Sequence, residues 1–245
     1  MPAKEARDYI VFALDVPTAG QAEELVDELG QEVGMFKVGL ELFINSGPDF
    51  VRRLVTDRKV RVFLDLKLHD IPVTVGRAME RIAAMGVAMT TVHCGENRGM
   101  LEAAVEAAAG RVKVLGVTVL TSVAAADLRY AGFEERFSGH PQELVKHRAA
   151  MAFECGCSGV VCSGHEAAEI KKNFGKDFMA VVPGIRPDGG GRDDDQRRTV
   201  TPARALAAGA DYLVVGRPIR DAGDRRAAAR NIAGQVARAL AAVPV

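Results

Sequence analysis

Eight short apolar runs, recurring along the whole chain and separated by helix-like or turn-rich stretches, constrain the fold more tightly than any other feature. They cover 9–15, 35–39, 60–67, 88–93, 112–120, 159–163, 178–183 and 211–216. Each is nearly continuous in apolar, β-branched character, which predicts strands covered on both faces, as in parallel sheets. Helical patterns lie between them. Thr18 is placed to cap a helix through 21–29 that ends at Gly30. Pro72 suits the first turn of a helix reaching Met85, with Gly86 behind it. An Ala-rich helix over 97–109 ends at Gly110, and further patterns cover 141–155, 166–172, 202–208 and 224–242. The 245 residues match one such unit, and no low-complexity linker divides them. The expected fold is α/β: a single-domain (β/α)8 TIM barrel over 1–245, rather than an open sheet.

Charge and composition narrow the partners. Thirty-two basic residues balance 32 acidic ones, so there is no basic excess of the kind a nucleic-acid binder shows. A small anionic ligand needs only a few local cations and stays open. The N-terminus, MPAKEARDYIVFALDV, has no signal-peptide pattern, because its apolar run is short and carries Asp15. No run approaches the ~18 apolar residues of a membrane span. The expected location is cytoplasmic. Cys94, Cys155, Cys157 and Cys162 read as small apolar residues at a helix end and in a buried strand rather than as a metal or redox set.

The polar residues at strand ends carry the functional signal. Asp15, Lys37, Asp65 and Lys67 end otherwise apolar runs, and Gly216-Arg217 follows the eighth. Barrel active sites sit on that C-terminal face. In Phe63-Leu-Asp65-Leu-Lys67-Leu-His-Asp70-Ile-Pro72, strand alternation predicts that Asp65 and Lys67 point together into the mouth. Leu64, Leu66 and Leu68 would then point toward the helices, with Asp70 in the following turn. The pattern suggests an order Lys–Asp–Lys–Asp from Lys37 to Asp70, each lysine held charged by flanking carboxylates. A purely structural ion-pair network is the alternative, though burying four charges is costly unless they are closely matched. Two connections are long, 121–140 and 184–199. The first has room for a small helix. The second reads GIRPDGGGRDDDQRRT and follows strand seven, where such barrels often build a phosphate site, so 184–199 is read as a phosphate-gripping lid loop rather than a plain surface excursion.

FLDLKLHDIPVTV resembles the D-x-K-x-x-D signature of the orotidine 5′-phosphate decarboxylases, in their short bacterial form. FALDV, FKVGLELF, GVTVLTS, GVVCS, PGIRP and DYLVVGRPI extend the resemblance in order along nearly the whole chain. The resemblance implies a homodimeric enzyme that converts orotidine 5′-monophosphate to UMP in pyrimidine biosynthesis, without cofactor or metal. It implies that Lys67 protonates the product carbon and that Asp65 lies beside the substrate carboxylate. Asp70 and Thr74 would reach into the partner's site, Thr74 to the ribose. Lys37 would complete the charge array and contact ribose, as would Asp15. Thr121 and Ser122 match the pyrimidine contacts, and Arg186, Gln196, Gly216 and Arg217 the phosphate-binding set. GGGRDDD, between Arg186 and Gln196, departs from the family pattern. His93 is read as facing the mouth, with a supporting hydrogen bond and a ligand contact equally open; His69 is read as a loop residue.

The chemistry so implied suits these groups. Loss of CO2 from C6 leaves an in-plane electron pair that the ring π system cannot accept, so fixed charges must stabilise it. Three rival chemistries make different demands on these positions. A Mg2+-dependent sugar-phosphate decarboxylase or synthase of the same superfamily would want a carboxylate where Lys37 stands. A Schiff-base lysine enzyme needs a neutral lysine, whereas Lys67 has acidic neighbours. A barrel that only binds nucleotide would not need the full set of charged residues.

Overall fold

The computed structural model describes residues 4–95, 97–187 and 199–242. Eight parallel strands close into one barrel in chain order, β1 through β8. They are β1 Ile10–Ala13, β2 Met35–Val38, β3 Val62–Leu68, β4 Met89–His93, β5 Lys113–Val117, β6 Gly159–Val161, β7 Met179–Val182 and β8 Tyr212–Val215. Each falls inside, or within a residue of, an expected run. Closure pairs β1 with β8, placing Val11 opposite Val214.

Two apolar layers explain why the runs read as continuous. Val11, Met35, Phe63, Met89, Leu115, Val181 and Val214 form a small cluster inside the barrel. Their strand neighbours, such as Ile10, Phe12, Phe36, Val62 and Leu64, belong to the larger core shared with the helices. Residues of both parities are thus buried. Each buried aromatic or large aliphatic side chain stabilises the fold by about 1.5–3 kcal/mol before entropy is subtracted. Gly159 lets β6 approach β7, since any side chain there would collide with the Met179 carbonyl.

The helices are α1 Ala19–Leu29, α2 Leu40–Thr56, α3 Pro72–Ala83, α4 Arg98–Ala108, α5 Ala125–Tyr130, α6 Glu135–Ser138, α7 Pro141–Glu154, α8 Ala167–Phe174, α9 Pro202–Ala207, α10 Arg217–Arg220 and α11 Arg225–Ala242. Thr18 caps α1, its hydroxyl accepting from the Gln21 amide at 3.3 Å. The 121–140 connection holds two short helices, α5 and α6. α2 is the element that the helical patterns do not set out. Gly47 has φ 70° and ψ −178°, and Pro48 follows, so two helical pieces meet at a kink. A Gly-Pro pair reads locally as a break, yet burial of Leu42, Phe50, Val51 and Leu54 carries the element across it.

All four cysteines are free and buried, and burial pushes the Cys94 thiol up to about 12. Among the described residues no helix is long and apolar enough to cross a membrane.

Candidate active site

A cavity of about 580 Å³ opens at the C-terminal ends of the strands. Asp15 borders it after β1, Lys37 on β2, and Asp65 and Lys67 on β3. Thr121 and Ser122 border it after β5, Arg186 after β7, and Gly216 with Arg217 after β8. Nine of the residues singled out in the sequence are therefore brought to one cavity. Asp70 and Thr74 do not line it, and Gln196 lies outside the described residues, as does 188–198 of the expected lid.

The charged groups form a chain of contacts. Lys37 Nζ donates to Asp15 Oδ1 at 3.0 Å and stands 4.0 Å from Asp65 Oδ2. Lys67 Nζ donates to that same Asp65 oxygen at 2.8 Å. Asp65 is the more enclosed of the two carboxylates, its side chain 12% exposed against 50% for Asp15. A carboxylate this buried is tolerable because two ammoniums share one of its oxygens. Within one chain, then, the order is Asp15–Lys37–Asp65–Lys67. Asp70 does not join it: its Oδ1 accepts from the Ile71 amide at 2.6 Å, and among the described residues it pairs with neither lysine.

Simple alternation does not account for how Asp65 and Lys67 meet. β3 and β4 are in register at Leu64–Thr90, but the next pairing is Leu68–Val92. Four residue steps on β3 thus face two on β4, which bulges the strand between Asp65 and Lys67. Lys67 has φ 50°, one of three non-glycine residues with positive φ among those described. For an L residue that conformation costs about 1–2 kcal/mol. Leu66 and Leu68 still pack outward against the main core, as the alternation predicts. Thr91, which the sequence reading passed over, sits opposite the bulge. It is fully buried, donates to Asp65 Oδ1 at 2.9 Å and accepts from the Lys67 amide at 2.9 Å.

After β7, the Arg186 amide donates to Val200 O at 2.9 Å and its guanidinium to Ile185 O at 2.8 Å, which anchors the start of the 184–199 segment. Arg217 opens α10 directly after Gly216. Arg220, one turn on, also lines the cavity and donates to the Asp15 carbonyl at 3.0 Å. It too was missed; the i, i+3 spacing from Arg217 was the available signal. His93 is half-buried at the end of β4 but does not line the cavity, and its ring lies 5.6 Å from that of His69. Burial, then the neighbouring His69, lowers its pKa from the ordinary histidine value.

Asp70 and Thr74 are exposed, and so are Leu40, Ile44, Ile71 and Val73 on the segments that follow β2 and β3. Among the described residues, no group of three or more His, Cys, Asp or Glu side chains could hold a metal ion.

Fold and site together define a (β/α)8-barrel protein with an alternating carboxylate–ammonium array in its mouth and arginines after β7 and β8 lining the same cavity. Residues 8–232 match the model of the orotidine 5′-phosphate decarboxylase / HUMPS family, and the chain belongs to that family. It is 51% identical over 244 residues to an orotidine 5′-phosphate decarboxylase of Desulfosudis oleivorans, covering 97% of this chain and 96% of the relative. The crystal structure of orotidine 5′-phosphate decarboxylase from Lactobacillus acidophilus superposes with a TM-score of 0.81 at 34% identity, over 93% of this chain and 98% of that one. That of orotidine 5′-phosphate decarboxylase from Pyrococcus horikoshii OT3 gives 0.72 at 26% identity, over 93% and 99%.

Proposed function

We propose that the protein decarboxylates orotidine 5′-monophosphate to UMP, acting as a carboxy-lyase in pyrimidine biosynthesis. The observation that carries this reading is the Asp15–Lys37–Asp65–Lys67 array in a chain of this family. The Desulfosudis relative, on the decarboxylase side of the family name, supports it over the Mg2+-dependent alternative.

In this mechanism the C6–carboxylate bond breaks, CO2 departs, and the electron pair stays on C6. Lys67 then gives its ammonium proton to C6 and is reprotonated from solvent. The nearby fixed charge lowers the barrier because it is already oriented when negative charge develops. Asp65 lies beside the substrate carboxylate, while Lys37 and Asp15 take ribose hydroxyls. Thr121 and Ser122 hold the pyrimidine. Arg186, Gln196, the Gly216 amide and Arg217 grip the phosphate, and 184–199 closes over it, so that binding far from the reacting bond organises the reacting end.

The active form in this reading is a homodimer, with Asp70 and Thr74 completing the partner's site. Their exposure, their absence from their own chain's cavity, and the exposed apolar Leu40, Ile44, Ile71 and Val73 nearby in sequence support it. A nucleotide substrate and product, both too highly charged to cross a membrane unaided, fit a cytoplasmic enzyme.

Following loss of orotidine 5′-monophosphate absorbance, with purified protein in excess chelator, tests the proposal. Turnover to UMP is expected. A flat trace with folded protein removes the reading, and turnover that chelator abolishes points to the metal-dependent branch.

A further inference from the structure

We propose that Thr91 is a positioning residue for the decarboxylation assigned above: its hydroxyl sets the Asp65 carboxylate and the Lys67 backbone relative to each other. Three observations carry this, and the inference rests on the proposed reaction only for its kinetic readout. First, the bulge in β3 removes the regular β4 partner of the Lys67 amide, and Thr91 Oγ1 takes its place at 2.9 Å. Second, the same hydroxyl spends its single proton on Asp65 Oδ1, also at 2.9 Å. That leaves Oδ2 to the two ammoniums, Lys67 at 2.8 Å and Lys37 at 4.0 Å, and so fixes which carboxylate edge faces the mouth. Third, Thr91 has no exposed surface, and its inward neighbour two residues back, Met89, belongs to the apolar barrel interior. Its hydroxyl is thus the polar group on which the charge array rests, with hydrocarbon beneath.

A hydroxyl is suited to this place because it accepts and donates at once. Valine has the same shape and can do neither. Without the oxygen, the Lys67 amide loses its acceptor and the left-handed turn at Lys67 loses its anchor. Asp65 is freed to rotate about its Cβ–Cγ bond. The ammonium that must meet C6 then has no fixed position, and misplacement by about 1 Å can lower the rate about a hundredfold. Substrate capture, which depends mainly on the phosphate and ribose contacts, should be little changed.

The test compares Thr91→Val, Thr91→Ser and Thr91→Ala with the parent protein. For Thr91→Val we expect kcat to fall about a hundredfold with KM changed less than about threefold. Thr91→Ser, which keeps the hydroxyl, should remain within about threefold of the parent in kcat. A crystal structure of Thr91→Val should show Lys67 leaving φ 50° and the Asp65–Lys67 pair opening from 2.8 Å. Parental kcat in Thr91→Val overturns the proposal; so does equal loss in the serine and valine variants, which would assign the effect to packing at this position rather than to the hydroxyl. If the valine variant does not fold, parental kcat in Thr91→Ala overturns it. A parent inactive on orotidine 5′-monophosphate sinks the proposed function instead, and the Thr91→Val structure, with Lys67 and Asp65 moved or unmoved, still decides the role of Thr91.

Discussion

The Lys67 ammonium lies 2.8 Å from Asp65 Oδ2 only because the Lys67 backbone is left-handed, with φ 50°, in a strand whose register slips at that point. A regular pleat would set the two side chains on one face but would not curl the second back onto the first. The conformational cost is local, and the buried carboxylate, Lys37 and Thr91 together hold it in place. A strained residue at a charge array is a sign that geometry there is kept against the backbone's own preference.

Removing the Lys67 side chain separates chemistry from backbone. Lys67→Ala is expected to lower kcat by on the order of a thousandfold or more while the barrel stays folded, as a preorganised charge at the reacting carbon is lost. Lys67→Gly should be equally inactive but more stable than the alanine variant by about 1 kcal/mol, since glycine adopts positive φ without penalty. Both variants lose the same ion pair, so the comparison isolates the backbone. Equal urea midpoints would show that no strain is stored at Lys67, and substantial turnover in either would assign the proton to another group.

The proposed crossing of Asp70 predicts complementation. Lys67→Ala and Asp70→Ala proteins, each inactive alone, should recover activity when mixed and allowed to exchange subunits. In a symmetric dimer at equal amounts, half the molecules are mixed and each has one complete site. Recovery should therefore approach roughly a quarter of the parent's activity. No recovery, with exchange verified by mass spectrometry of the mixed dimer, places Asp70 outside the partner's site.

What was legible in the sequence, and what was not, follows from how local the cause is. Barrel strands buried on both faces leave continuous apolar runs, so all eight could be read without knowing which parity faced inward. Lys37, Asp65 and Lys67 stood out because charge in such runs is expensive. α2 was hidden because Gly47-Pro48 breaks the local pattern, whereas its stability comes from core contacts distant in sequence. The β3 bulge was hidden for a different reason: it arises from pairing with β4 and leaves no mark in the period of either strand. Thr91 was lost with it, since a threonine in a β-branched run reads as a strand former until its partners are known. Asp70 matched the family motif, but its spacing could not reveal that it pairs with neither lysine of its own chain.

At the other end of the barrel, Lys4 predicts a pH-dependent stability. Its ammonium donates to the Asp211 carbonyl at 2.6 Å and lies over the rings of Tyr9 and Tyr212, 3.7 and 3.8 Å from their centroids. Burial, only partly offset by the Asp211 charge, lowers its pKa from 10.5 to about 8. A folded pKa below the unfolded one means that the unfolded chain binds the proton more tightly in the window between them. Stability from this group should therefore rise with pH from about 8 toward 10.5. Tyr9, whose pKa is raised mainly by burial, acts in the opposite sense above 10.0, so the comparison belongs below that. From pH 8 to about pH 9 the parent should gain about 0.5–1 kcal/mol relative to Lys4→Met, after allowance for partial exposure. Parallel urea-unfolding curves for the two proteins at both pH values would rule out a proton-linked role for Lys4.

The phosphate grip proposed for Arg217 can be tested by comparing two substrates. This residue opens α10 directly after β8, the strand that pairs with β1, and lines the cavity together with Arg186. If it binds the 5′-phosphate, Arg217→Ala removes a charge-assisted contact of about 2–3 kcal/mol, so kcat/KM should fall roughly 30- to 150-fold. Most of the loss should lie in KM, with a smaller drop in kcat, if saturating substrate still drives the lid closure proposed for 184–199. Orotidine, which lacks the phosphate, never makes the contact. Its decarboxylation should therefore be nearly the same in parent and variant. The ratio of the two losses isolates the interaction from any disturbance of packing around α10. A proportionate loss for both substrates would mean that Arg217 supports the barrel rim instead, and the phosphate would then have to be held by Arg186 and the remaining rim residues.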